Sequence, residues 1–265
     1  MEGLLCPVCR RALTDGGRVL SCEAGHAFDK AKEGYVNLLT GHKNGDFVGD
    51  NKEMAKARHA FLESGAYSLL KEGLQSTLTS FLPQGGCLCD AGCGDGFYTS
   101  SLPASFAVYG FDISKNMLRY AAKRRESAVV FAAGVNDIPV SDGMFDAVLS
   151  VFAPFCDREF ARVLKKDGLL FSVGAGKRHL WGLKEVLYAS PYENDEALLP
   201  AESFVLLEER RFGNRVTLTG SEQIASLLSM TPYAYRTPRD GKERLAALES
   251  LTTELDFLLR IYRKK

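Results

Sequence analysis

Four side chains near the start of the chain have the types and spacing of a tetrahedral metal site: Cys6 and Cys9 from Cys6-Pro7-Val8-Cys9, then Cys22 and His26 from Cys22-Glu23-Ala24-Gly25-His26. Two ligands three residues apart fit one knuckle turn. The twelve residues between Cys9 and Cys22 suffice for a hairpin turning at Thr14-Asp15-Gly16-Gly17. With all four ligands supplied by protein, a zinc ion held there is structural and keeps no open position for an activated water. So small a module, with few apolar residues, depends on its metal to fold.

A second constellation lies in Cys87-Leu88-Cys89-Asp90-Ala91-Gly92-Cys93-Gly94-Asp95-Gly96-Phe97-Tyr98. The pattern predicts a buried strand, a glycine turn and a helix beginning near Tyr98. Gly92, Gly94 and Gly96 let the backbone approach an extended ligand closely. The next apolar run, Ala107–Phe111, ends in Asp112, about twenty residues past the glycine turn, where an acid meets ribose hydroxyls. No Gly-Lys-Ser/Thr follows, so this is not a triphosphate loop. Asp90 would sit badly beside a pyrophosphate and suits a cofactor that carries positive charge.

Around these groups the chain must build one large domain or a domain plus a small module, and 265 residues at 46% hydrophobic content suffice. The 33 basic and 33 acidic side chains balance, so composition alone argues for no polyanionic partner. No apolar run approaches the ~20 residues that cross a bilayer, and Met1-Glu2-Gly3 opens no export signal. A cytoplasmic protein without membrane contact is expected. Its seven cysteines then read as metal ligands and reduced thiols. Apolar periodicity predicts helices over 52–63, ended by Ser64-Gly65, and over 68–81, stopped by Pro83. Further strands are expected at 129–133, 145–152 and 169–173. A helix is expected to end across 164–168, with Lys165 and Lys166 in its last turn. Strand segments at 204–212 and 215–219, a helix capped by Ser221 and a final strand at 255–262 complete the reading.

The glycine turn followed by an acid at the next strand end resembles the S-adenosylmethionine (SAM) site of Rossmann-like methyltransferases. The likeness sharpens through Phe28-Asp29-x-Ala31-Lys32-Glu33-Gly34-Tyr35-Val36-Asn37-Leu38-Leu39, Gly49-Asp50, Ala57-Arg58-x-Ala60-Phe61-Leu62, Tyr67, Ala153-Pro154, Arg178-His179-Leu180 and Met230-Thr231-Pro232-Tyr233-Ala234-Tyr235-Arg236. Together these are similar to bacterial 23S ribosomal RNA guanine-N1 methyltransferases. The resemblance implies an α/β, class I sheet, mostly parallel with an antiparallel last strand, behind a zinc-binding RNA-recognition module. The expected boundaries are 1–40 for that module, 41–84 for linker and helices, and 85–265 for the methyltransferase domain. It implies a SAM site formed by Tyr67, Asp90, Gly92, Gly94, Gly96, Phe97, Asp112, Asn136 and His179, with adenine near Asn136 and Asp137. Zinc falls to Cys6, Cys9, Cys22 and His26.

The implied reaction is methyl transfer to guanine N1 in a 23S hairpin loop. Phe152, Phe155 and Trp181 are candidates to stack on the base, and Arg178 to meet its O6. His179, Asp157 and Glu159 are unranked candidates for the proton on N1. Candidates for RNA contact are Lys30, Lys32, Lys43, Arg119, Lys123, Arg124 and Arg125, of which the last four read more readily as solvated helix surface, and homodimer formation stays open. Competing readings are a methyltransferase for tRNA or a small molecule, and a SAM-binding RNA module without transferase activity.

Overall fold

The structure is a computed structural model that describes residues 2–40 and 49–265. The first of these stretches begins with a three-stranded antiparallel ribbon of β1 (Thr14–Asp15), β2 (Val19–Ser21) and β3 (Ala27–Asp29). Its turn is closed by Asp15, whose carboxylate accepts the Gly17 N–H at 2.9 Å. The chain then reaches β4 (Val36–Asn37), which leaves the ribbon and pairs in parallel with the main sheet.

Helices α1 (Lys52–Glu63) and α2 (Ser68–Phe81) follow at the expected positions. Asn51 caps α1 by accepting the Met54 N–H, satisfying a donor that the first turn would otherwise orphan. Gly65, at φ 83°, ends it. The buried face of α2, Leu70, Leu74, Thr77 and Leu78, has the 3–4 spacing of an amphipathic helix.

The core runs β5 (Gly86–Ala91), β6 (Phe106–Asp112), α3 (Lys115–Arg124), β7 (Val129–Ala132), β8 (Phe145–Val151), α4 (Asp157–Val163), β9 (Leu164–Ala175) and α5 (Trp181–Leu187). It ends with β10 (Phe204–Thr219), α6 (Ser221–Ser229), α7 (Tyr233–Arg236), α8 (Arg239–Ala246) and β11 (Ser250–Lys264). The sheet order is β10-β11-β9-β8-β5-β6-β7-β4. Strands β4 to β9 pair in parallel, while β11 runs antiparallel to both β9 and β10. The central strands are apolar on both faces, as a doubly covered parallel sheet requires: Leu88 and Ala147 face one buried cluster, Cys89 and Val148 the other.

Several expectations change. No helix follows the glycine turn, and residues 97–101 form consecutive turns. The short connection to Phe106 spends its polar side chains locally, Thr99 Oγ1 donating to Asp90 at 2.8 Å and Ser100 Oγ to the Phe97 carbonyl at 3.0 Å. The helix expected to end across 164–168 stops at Val163. Leu164 already pairs with Phe145, and Asp167, at φ 59°, sits in a bulge before pairing resumes at Leu169. The two segments at 204–212 and 215–219 are one strand, continuous because Gly213 pairs with Asp256. The last strand begins at Ser250, and Ser221 is the first residue of α6 with Gly220 in the capping position.

Ribbon and core share a hydrophobic cluster. Leu4, Leu13 and Leu20 pack with Phe111, Phe131, Ile138 and Val140, and Leu4 bridges Val140.

Candidate active site

The four metal-type side chains converge at the base of the ribbon, their ligand atoms all within 4.8 Å of one another. Cys9 Sγ lies 3.6 Å from Cys22 Sγ, and His26 Nδ1 lies 3.5 Å from Cys6 Sγ and 3.4 Å from Cys22 Sγ. Ligands ~2.0 to 2.3 Å from a tetrahedral zinc stand at about these separations from each other, so the donor set fits the ion.

A cleft of about 780 Å³ runs along the carboxyl ends of the parallel strands, where open α/β sheets place their ligands. One half is built from the β5 turn, the tip of β6 and the inner face of α1. Gly92 is required there twice over: its φ is 71°, and a Cβ would lie 2.5 Å from that of Ala153. Asp112 is oriented by two backbone donors, Gly94 N–H at 3.0 Å to Oδ2 and Ser114 N–H at 2.7 Å to Oδ1. Burial nevertheless holds its carboxyl above the usual range. Asp95 accepts from Arg124 at 2.6 Å and lies 2.7 Å from His59.

The other half is neutral. It is lined by Phe152–Pro154 after β8, His179 after β9, Asn194, and residues 230–233, which lead from α6 into the first residue of α7. Phe152 adopts φ 54°, unusual for a bulky residue, and is 46% exposed as a residue, its ring beside His179 and Phe257. Asn194 staples this half together. Its Nδ2 donates to the carbonyls of Gly176 and His179, and its Oδ1 accepts from the buried Lys184 at 2.7 Å and from Tyr233 at 3.4 Å.

His179 is nearly fully buried, and desolvation pushes its imidazole down to about 4. The Asp256 backbone N–H donates to Nδ1 at 3.2 Å, so the neutral ring carries its proton on Nε2, 3.3 Å from Tyr67 Oη. A ring fixed in this way is a donor. Tyr67, accepting from it, retains its own proton to give into the cleft.

Of the residues expected to hold SAM, Tyr67, Gly92, Gly94, Asp112 and His179 line the cleft. Asp90 lies behind the turn, buried with Thr99, and desolvation raises its carboxyl to about 7. Gly96 and Phe97 fall outside the lining. Asn136 is exposed, while its neighbour Val135 lines the cleft in its stead. Neither acidic candidate for the N1 proton reaches the cleft: Asp157 binds the backbone and hydroxyl of Ser203, and Glu159 binds Arg162 and the Ile138 N–H. Arg178 stacks on Trp181 instead, 3.9 Å from the ring centroid. Sequence reasoning missed Asn194 as a lining group and Tyr233 as its partner, and it assigned no role to Asp50 and Arg58.

The cations expected to meet RNA divide. Lys30 pairs with Asp15, Arg124 with Asp95 and Glu63, and Arg125 binds backbone carbonyls of Leu102 and Phe106, whereas Lys32, Arg119 and Lys123 are exposed. Lys43 lies outside the described residues. Among the described residues no helix is long and apolar enough to cross a membrane.

This sheet, its glycine turn and the acid at the tip of β6 define a SAM-dependent methyltransferase, here joined to a zinc ribbon. Residues 89–172 match the methyltransferase domain model, and residues 4–44 match the zinc-ribbon model described as "RlmA, N-terminal". The 23S rRNA (guanine(748)-N(1))-methyltransferase of Streptomyces fradiae is 36% identical over 190 residues, covering 69% of this chain and 67% of that one. A Bacillus subtilis protein provisionally named a 23S rRNA (guanine-N(1)-)-methyltransferase is 31% identical over 274 residues, covering 96% and 95%. The chain belongs to the 23S rRNA (guanine-N1)-methyltransferase family. In fold it is similar to a Bacillus halodurans protein provisionally titled a methyltransferase, with a TM-score of 0.50 at 17% identity over 72% of this chain and 98% of that one.

Proposed function

We propose that this protein methylates N1 of a guanine in a hairpin loop of 23S ribosomal RNA, acting in the cytoplasm. The observation that carries the reading is likeness over nearly the full length, ribbon included, to proteins named for that reaction. The charged half of the cleft suits SAM, which when bound supplies an electrophilic methyl group on a sulfonium. Gly92 and Gly94 admit it, Asp112 accepts from its ribose hydroxyls, and Tyr67 donates to it. The neutral half suits a planar base, with the exposed Phe152 ring as its platform. A base drawn from a hairpin must be unstacked, at a cost of roughly a few kcal/mol, which such a platform offsets in part.

Guanine N1 is protonated at neutral pH, so the proton must leave as the methyl arrives. His179 is not its acceptor, because Nδ1 is occupied by the Asp256 N–H and Nε2 already carries hydrogen. The ribbon, sharing a core with the sheet, would fix the register of an RNA too large for the cleft through phosphate and shape contacts.

Reverse transcription across the loop tests this, since N1 methylation blocks Watson–Crick pairing and stops the enzyme. RNA from a deletion strain should lose one stop, and purified protein with SAM should restore it on naked RNA. A stop that persists in the deletion strain, with transfer to tRNA or a small metabolite in vitro, would overturn the assignment.

A further inference from the structure

The motif around Arg58 has no part in the site so far. Met54, Arg58 and Leu62 lie one turn apart on α1 and line the cleft together. Arg58 is the sole arginine or lysine among the described lining residues, in a cleft that also presents Asp50, Asp95 and Asp112. Its orientation is locked: Nε donates to Asp50 Oδ2 at 2.6 Å and Nη2 to Oδ1 at 3.4 Å, while Nη1 has no hydrogen-bond partner among the described residues. Asp50 is itself held at the tip of β6, its carbonyl accepting from Ser114 Oγ at 2.9 Å and from Asn116 Nδ2 at 3.2 Å. The Asp112 carboxylate and Tyr98 are close enough to feel the guanidinium charge.

We propose that Arg58 receives the carboxylate of the SAM amino-acid head through its open Nη1 edge. The inference rests on the SAM reading of the cleft and adds the group that selects the zwitterionic end of the cofactor. An ammonium group is welcome anywhere among these acids, but a carboxylate is repelled unless a cation meets it, and among the described residues Arg58 is the cation available. An RNA phosphate is a poorer occupant. Arg58 sits inside the cleft beside three carboxylates, a setting that tolerates a balanced zwitterion and repels a polyanion.

Calorimetry with SAM and with decarboxylated SAM, which keeps the sulfonium and the ammonium, isolates the contact. Arg58→Met should weaken SAM binding about ten- to a hundredfold, the range of one charged hydrogen bond, and leave decarboxylated SAM nearly unchanged. Wild type should favour SAM over decarboxylated SAM by a similar factor. Equal losses for both ligands would overturn the proposal and make Arg58 a strut for Asp50. Wild type that binds neither ligand would instead sink the cofactor reading itself. If Arg58→Met does not fold, Arg58→Lys carries the test, since it keeps the charge without the locked fork: a partial loss for SAM alone supports the contact, and equal losses sink it.

Discussion

The ribbon and the sheet are held by different physics. The ribbon's strands are two or three residues long, and its order converges on four ligand atoms within 4.8 Å of one another. The sheet instead spreads its stability over dozens of side chains, with Leu88, Phe131, Val148 and Phe171 fully buried. A point-held module can be lost in one event. A distributed one yields by increments.

The largest effect should therefore come from the metal. Cys9→Ser, or chelation, should remove a contribution of roughly 10 kcal/mol and unfold the ribbon. Hydrogen exchange should report loss of protection through about residue 40, while SAM binding to the core persists. If SAM affinity falls as far as it does in Asp112→Ala, the two regions do not stand apart as described.

Next come two buried groups of the core whose titrations oppose each other. His179 is lowered from 6.5 to about 4, so its neutral state favours folding above pH 6.5, and that contribution is lost as pH falls toward 4. Asp90 is raised from 3.8 to about 7, so its contribution is present below pH 4 and lost as pH rises toward 7. Between pH 4 and 6.5 the two nearly cancel. Asp90→Asn should unmask acid lability of roughly 3 kcal/mol across that window, and His179→Asn the reverse slope, read from urea midpoints at pH 4.5 and 7. Parallel profiles for wild type and both variants would show that neither group shifts on folding.

The smallest effect is local. Asp112→Ala should cost SAM roughly 1 to 3 kcal/mol by calorimetry and leave zinc content unchanged. A variant that also lost zinc would tie the cofactor site to the ribbon more tightly than their shared cluster suggests.

The same contrast governs what could be read in advance. The zinc ligands were legible because metal geometry imposes a local spacing on Cys6, Cys9, Cys22 and His26. In the charged half, Gly92, Gly94 and Asp112 were legible because glycines and an acid recur at fixed offsets around β5 and β6, whereas Asp90, Gly96 and Phe97 fall outside the lining and Asp50 and Arg58 follow no such offset. The neutral half gave less away. Phe152 and His179 were anticipated at the ends of β8 and β9, but Asn194 lies between α5 and β10 and Tyr233 opens α7, and an asparagine whose bonds all go to protein groups around it carries no signature of its own. Asn136 was expected inside because the loop after the third core strand usually meets adenine, but here the apolar Val135 faces in and the amide faces out. The helix expected after the glycine turn failed because Thr99 and Ser100 bond locally.

One feature of the ribbon's tail bears on solubility. At one margin of the sheet β4 pairs with β7 for only two residues. Short as it is, β4 occupies hydrogen-bonding groups of β7 that an unguarded margin would offer to other chains. The opposite margin, β10, is long and leaves Val205, Leu206 and Leu207 exposed. Loss of zinc that peeled β4 away would thus give the sheet a second adhesive margin, and light scattering should rise on chelation before the core melts.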